Sequence, residues 1–239
     1  MHGMGTIVNA AAIVVGGSLG LALKKGLKPR FQDILMQIMG ICVMFIGIAG
    51  ALTGLLAANA DGTLTTQNSM LFIGAMVLGG LLGEAINIAR GLERFGDWLK
   101  IKARSTGDPR FTDAFVTASL VVCVGAMAIV GSIQDGMLGD ASLLYAKAIL
   151  DFVIIMVFAS ANGKGAVFSA VPVALLQGSV TVLAGLVAPI FSAEVIAAIS
   201  FVGSVLIFCV GTNLCLNTKF SVANMLPALI FAGIGVSIF

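Results

Sequence analysis

Charge is what this chain has least of. Only 10% of its 239 residues are Asp, Glu, Lys or Arg, against about 25% in an ordinary water-soluble domain, so a fully hydrated surface is excluded. Histidine is scarcer still. His2 is the sole one, which leaves no His-ligated metal site and no histidine proton chain to expect. A single Trp, a single Tyr and a net charge of +2 provide neither stacking platforms nor a basic patch, so nucleic acid is not an expected partner. The four cysteines, Cys42, Cys123, Cys209 and Cys215, lie in apolar runs without CxxC spacing and read as packing residues. No cofactor is implied.

Apolar sequence is what remains, at 59% of residues and a mean hydropathy of +1.11. It comes in long charge-free blocks, which points to an all-α, polytopic transmembrane bundle. The blocks near 5–23, 33–57, 69–89, 112–132, 141–161, 166–188, 194–214 and 221–239 give about eight spans in one membrane domain covering 1–239. No soluble catalytic domain fits between them. The first block is followed, not preceded, by Lys24, Lys25, Lys28 and Arg30. That order is opposite to a signal peptide, so a retained span is expected.

The 13 Lys and Arg residues set the orientation. Twelve fall in alternate links: four after the first span, then Arg90, Arg94, Lys100, Lys102, Arg104 and Arg110, then Lys164 and Lys219. Basic links stay in the cytoplasm, so both termini are expected on the far side. Within the longest link, Leu92, Phe95, Leu99 and Lys102 recur at helical spacing beside Trp98. An amphipathic helix on the membrane surface is expected, with a solvated loop serving topology alone as the alternative.

The chain has 30 glycines. The pairs Gly16 and Gly20, Gly50 and Gly54, and Gly79 and Gly83 are four residues apart, placing each pair on one helix face where a neighbouring backbone can approach. The same faces would suit a homo-oligomer. A loose echo between residues 40–45 and 203–208 hints at an inverted repeat, although Gly- and Val-rich spans match easily by chance.

The informative residues are those that hydrocarbon rejects, because an ionisable group at mid-bilayer costs about 2.5–3.5 kcal/mol. Lys147 and Asp151, four apart in the fifth block, share a face and can form an ion pair, with Tyr145 nearer the outer surface. The pair either fixes helix rotation or holds a substrate or ion. Glu84 lies toward the inner third of its block, where it either snorkels or gates. In the sixth block Pro172 is expected to kink the helix, so that Gln177, Gly178, Ser179 and Thr181 face a cavity or bond their own helix. Asn9, Asn213, Asn217 and Asn224 read as interhelical hydrogen-bonding groups or path-lining residues. The run Asn162-Gly163-Lys164-Gly165 lacks the first glycine and the Ser or Thr of a phosphate loop and reads as a turn.

Residues 119–140, SLVVCVGAMAIVGSIQDGMLGD, resemble the YqgA/YdfK-like bacterial membrane proteins, a domain-of-unknown-function family. Gly5-Thr6-Ile7-Val8-Asn9, Gly83-Glu84, Lys147 with Asp151, and Gln177-Gly178 extend the resemblance over nearly the whole chain. It implies a multi-pass protein of the bacterial cytoplasmic membrane and no assigned reaction. Ser132, Gln134 and Asp135 fall at the outer end of the fourth block, so Gln134 and Asp135 are expected to line an outer vestibule leading to Lys147 and Asp151.

Three functional readings follow. The leading one is a secondary transporter of a small polar or charged solute, with Asp151 and Lys147 at its centre, Gln177 and Ser179 as polar contacts, and Asn9 and Glu84 as further candidates. The others are an oligomeric channel, and a scaffold or sensor that docks a partner through 90–110. No assisted nucleophile, metal cluster or paired catalytic aspartate motif is present, so an enzyme is not expected.

Overall fold

The computed structural model describes residues 2–24, 28–123, 126–187, 192–216 and 218–236, and it is helical almost throughout. In chain order come α1 (Met4–Lys24), α2 (Pro29–Leu55), α3 (Ser69–Ile86), α4 (Ile88–Lys102), α5 (Phe111–Cys123), α6 (Ala126–Leu138) and α7 (Ser142–Asn162). A 3-10 segment, Lys164–Ser169, leads into α8 (Ala170–Val182), followed by α9 (Ala184–Val187), α10 (Ala193–Leu216), α11 (Val222–Met225) and α12 (Ala228–Gly235). Among the described residues, five helical stretches are long and apolar enough to cross a membrane: 4–23, 69–86, 142–162, 164–182 and 193–216. A sixth crossing exists if α5 and α6, whose axes diverge by 62°, together make one broken span. Their outward faces carry large exposed apolar side chains, such as Ile73, Val77 and Leu81 on α3. Hydrocarbon is the solvent such a surface matches.

Three of the expected continuous spans are interrupted. Block 112–132 divides between α5 and α6, and block 221–239 divides around Pro227, which separates α11 from α12 and has no N–H to continue the ladder. In block 166–188 the irregularity is not where Pro172 suggested. Pro172 is the third residue of α8, in a first turn whose N–H groups have no intrahelical partner anyway, so the proline helps start the helix instead of kinking it. Between α2 and α3 the chain makes a small hairpin, β1 (Leu56–Ala58) antiparallel to β2 (Leu64–Thr66), with Leu56 opposite Thr66. Its turn is tied by Asp61, whose carboxylate is held below the ordinary range by hydrogen bonds from the Thr63 hydroxyl and amide.

Glycine sets the closest helix contacts. Along α1, Gly16 and Gly20 rest on the backbone carbonyls of Phe152 and Met156 in α7, so the two helices run parallel in close contact. Gly47, Gly50 and Gly54 of α2 rest against Phe208, Ser204 and Phe201 of α10, which therefore runs antiparallel to α2. Gly79 and Gly83 of α3 rest on Ala228 and the Asn224 carbonyl. A side chain at Gly16, Gly20, Gly47, Gly79 or Gly83 would push two backbones apart, and one at Gly50 or Gly54 would displace the Ser204 or Phe201 side chain. Gly20→Leu is therefore expected to lower stability in detergent by about 1–3 kcal/mol, the range for overpacking, whereas Gly74→Leu should be neutral. Gly74 has nothing within 4 Å of where its Cβ would stand. Thermal unfolding of the two purified variants checks this; equal melting temperatures would refute it.

The core has two larger apolar clusters, besides a small one of Leu99, Phe111 and Phe115 between α4 and α5. One gathers Ile13 of α1, Val122 of α5, Ile155 and Phe158 of α7, and Val173 of α8. The other gathers Leu71 of α3, Phe201 and Val202 of α10, and Ala228 and Ala232 of α12. Val43, Leu120, Leu206, Val210 and Val222 join them. The polar residues singled out by the sequence lie mainly in the first group of helices.

Candidate functional site

The glycine-mediated approach of α1 to α7 brings Asn9 against the carboxylate of Asp151. Asn9 Nδ2 donates to Asp151 Oδ2 at 3.0 Å and to Gln177 Oε1 of α8 at 3.3 Å. Lys147, one turn before Asp151 on α7, donates from Nζ to Oδ1 at 2.9 Å and lies 2.8 Å from Oδ2. The four residues are closed off from the surface, with exposures of 0% for Asn9, 2% for Asp151, 1% for Gln177 and 8% for Lys147. Among the described residues this is the one ion pair. Cys123, at the end of α5, lies within electrostatic reach of both charges.

Two atoms of this cluster have no partner among the described residues: the acceptor Asn9 Oδ1 and the donor Gln177 Nε2. Reversing the amides does not cure this. Turning Asn9 would aim its oxygen at the Asp151 carboxylate, and turning Gln177 would set two NH2 groups face to face. A buried unpartnered polar group costs about 1–3 kcal/mol. A small polar occupant that both donates and accepts would offset that cost. One turn toward the start of α1, the hydroxyls of Thr6 and Thr181 are 3.4 Å apart, extending the polar strip along α1 and α8.

Asp135 is fully buried but performs a different task from the one expected. Its Oδ1 and Oδ2 accept from the amides of Gly3 at 3.1 Å and Gly5 at 2.9 Å. A carboxylate at the positive end of a helix dipole is favourable, so in this structure Asp135 closes the amino end of α1. Gln134 is half-buried and has no hydrogen bond among the described residues. Ser179 is exposed and donates to the carbonyl of Leu176 in its own helix, so it stays outside the cluster. Thr181, two residues on, takes the inward place.

Glu84 belongs to a separate polar joint. It accepts from Asn224 Nδ2 at 2.7 Å, while Asn224 Oδ1 accepts from the Ala89 amide at 2.6 Å, tying α3, α4 and α11 together. Asn213 clasps the last link through the carbonyl and amide of Phe220 and the hydroxyl of Thr218. Asn217 lies outside the described residues. Thr6 was the one cluster member that no argument from sequence had selected; its i,i+3 spacing from Asn9 in a charge-free block was the available signal.

On the side of the basic 90–111 link, two cavities of about 600 and 370 Å³ share Asp113, Thr117, Asn213 and Leu214. The larger reaches Leu120 and Val210. Leu120 is three residues from Cys123, about 4.5 Å along a helix.

Helices with lipid-suited faces surrounding a buried, hydrogen-bonded ion pair define a helical membrane protein with a buried polar centre. Residues 4–237 match the family described as "Protein of unknown function (DUF554)", and the chain belongs to that family. It is 32% identical over 226 residues to the "Uncharacterized membrane protein YdfK" of Bacillus subtilis (strain 168), covering 95% of this chain and 92% of that one. It is 29% identical over 233 residues to the "Uncharacterized protein YqgA" of Escherichia coli (strain K12), covering 96% and 94%. No solved structure matches significantly.

Proposed function

We propose that this protein is a secondary transporter of a small polar solute across the bacterial cytoplasmic membrane, binding it between Asn9, Gln177 and the Lys147–Asp151 pair. The observation that carries this reading is the pair of unpartnered buried atoms, Asn9 Oδ1 and Gln177 Nε2, beside an intramembrane ion pair. The pair is neutral as a unit, so a neutral or zwitterionic solute with adjacent donor and acceptor groups suits it best. In this reading the eight apolar blocks cross the membrane, the basic links face the cytoplasm, and the cavity ending at Leu120 is the inner approach. The closed state of the cluster favours a carrier over a channel, because a carrier must bury its site between openings.

The test is reconstitution in liposomes, with solid-supported-membrane currents and isotope uptake measured for a panel of amino acids, polyamines, organic acids and ions. Gln177→Ala is expected to raise the half-saturating concentration of the transported solute by about tenfold, the value of one buried hydrogen bond of about 1.4 kcal/mol. Asp151→Asn is expected to abolish transport. Uptake unchanged in both variants would remove the cluster from the pathway, and single-channel steps without coupling would favour a pore.

A further inference from the structure

We propose that α4 and the turn after it bind an anionic phospholipid, with the headgroup phosphate held between Arg104 and Lys164. Leu99 and Gly96 of α4 are buried against α5, where Gly96 meets Thr112 and Phe115. The opposite side of the helix leaves Trp98 52% and Ile101 65% exposed, which suits the boundary between headgroups and acyl chains. Lys102 lies over the Trp98 ring, 5.8 Å from its centroid. Residues 90–111 hold six basic side chains against three acidic ones, Glu93, Asp97 and Asp108. The surface is therefore apolar below and positive above, and a layer of anionic headgroups matches it.

The phosphate position rests on a cavity of about 440 Å³ lined by Arg104, Ser105, Gly107, Asp108, Pro109 and Lys164. Arg104 lines it from the turn after α4 and Lys164 from the 3-10 segment, and neither has an ion-pair partner among the described residues. The one carboxylate there, Asp108, accepts the Arg110 amide at 3.1 Å. The backbone supplies an independent sign. Arg104 has φ +50°, and the Ser105 amide reaches back to the Lys100 carbonyl at 3.0 Å, which makes Arg104 the left-handed residue of a helix-ending motif. Glycine fits that position without strain, while an arginine costs about 1–2 kcal/mol there. Strain kept at a residue that lines a cavity points to a role for its side chain there.

Trp98 is the sole tryptophan, so intrinsic fluorescence reads this surface directly. It lies six residues before Arg104, about 9 Å along a helix. The full chain is reconstituted in phosphatidylcholine vesicles, and brominated phosphatidylglycerol or brominated phosphatidylcholine is titrated in. Half-maximal quenching is expected at a mole fraction about tenfold lower for the anionic lipid. In Arg104→Gly and in Lys164→Gln the two lipids should quench alike. Because Arg104→Gly relieves the left-handed strain, its melting temperature should hold or rise while lipid selectivity disappears. Equal quenching by both lipids in the native protein, or selectivity retained in the double variant, would overturn the proposal. This site is independent of the transport reading.

Discussion

Asp151→Ala will destabilise the protein by about 3–5 kcal/mol, the range found when one partner of a buried ion pair is removed. Lys147 is then a buried cation that has lost its one ion-pair partner among the described residues, and Asn9 Nδ2 loses its shorter hydrogen bond. The double variant Lys147→Met with Asp151→Leu should recover most of that stability, since apolar residues of similar volume often replace a buried pair without loss. Detergent-solubilised protein of all three forms, compared by thermal unfolding and size-exclusion profile, checks both statements. A double variant no more stable than Asp151→Ala would show that the carboxylate acts independently of Lys147. A double variant that folds well but transports nothing would separate the role of the pair in the site from its role in the fold.

Asp135→Ala should cost about 2–3 kcal/mol and act at a distance along the sequence. It removes the acceptor for two amides at the start of α1, Gly3 and Gly5, and hydrogen bonds to a buried charged group are worth about 1.5–3 kcal/mol. Asn at this position keeps one acceptor but turns an NH2 toward the other amide, so Asp135→Asn should fall between the two. Hydrogen exchange will show the difference in place. Amides 3–8 should exchange faster in Asp135→Ala, while those of 153–158 in α7 stay protected. Uniform acceleration through both helices would mean that Asp135 supports the bundle as a whole.

Parts of this arrangement were open to reading in the sequence. Lys147 and Asp151 announce themselves, because ionisable residues four apart in an apolar block have one obvious use for each other. The glycine pairs at 16 and 20, 50 and 54, and 79 and 83 likewise mark contact faces, and each sits at one. The rotation of a helix about its axis was not legible. Ser179 and Thr181 are two residues apart, roughly 160° around the helix, and only the position of α1 decides that Thr181 turns inward. Asp135 could not be assigned either, since its partners are backbone amides 130 and 132 residues away, and amides leave no trace in a side-chain pattern. Pro172 misled for a related reason: a proline kinks a helix interior but suits a first turn, and the 3-10 segment before α8 carries no sequence flag of its own.

The glycine contacts between α1 and α7 have a mechanical consequence. Gly16 and Gly20 lock those two helices backbone to backbone, and the ion pair and the Asn9–Asp151 bond lie inside that unit. Gln177 is on α8, which enters through a 3-10 turn and leaves at Leu183, and its recorded link to the ion-pair cluster is the 3.3 Å bond from Asn9. The seam of the centre therefore runs between α8 and a rigid α1–α7 strut. Sliding α8 along that seam would part only the Asn9–Gln177 and Thr6–Thr181 hydrogen bonds, while the two charges stay neutralised against each other.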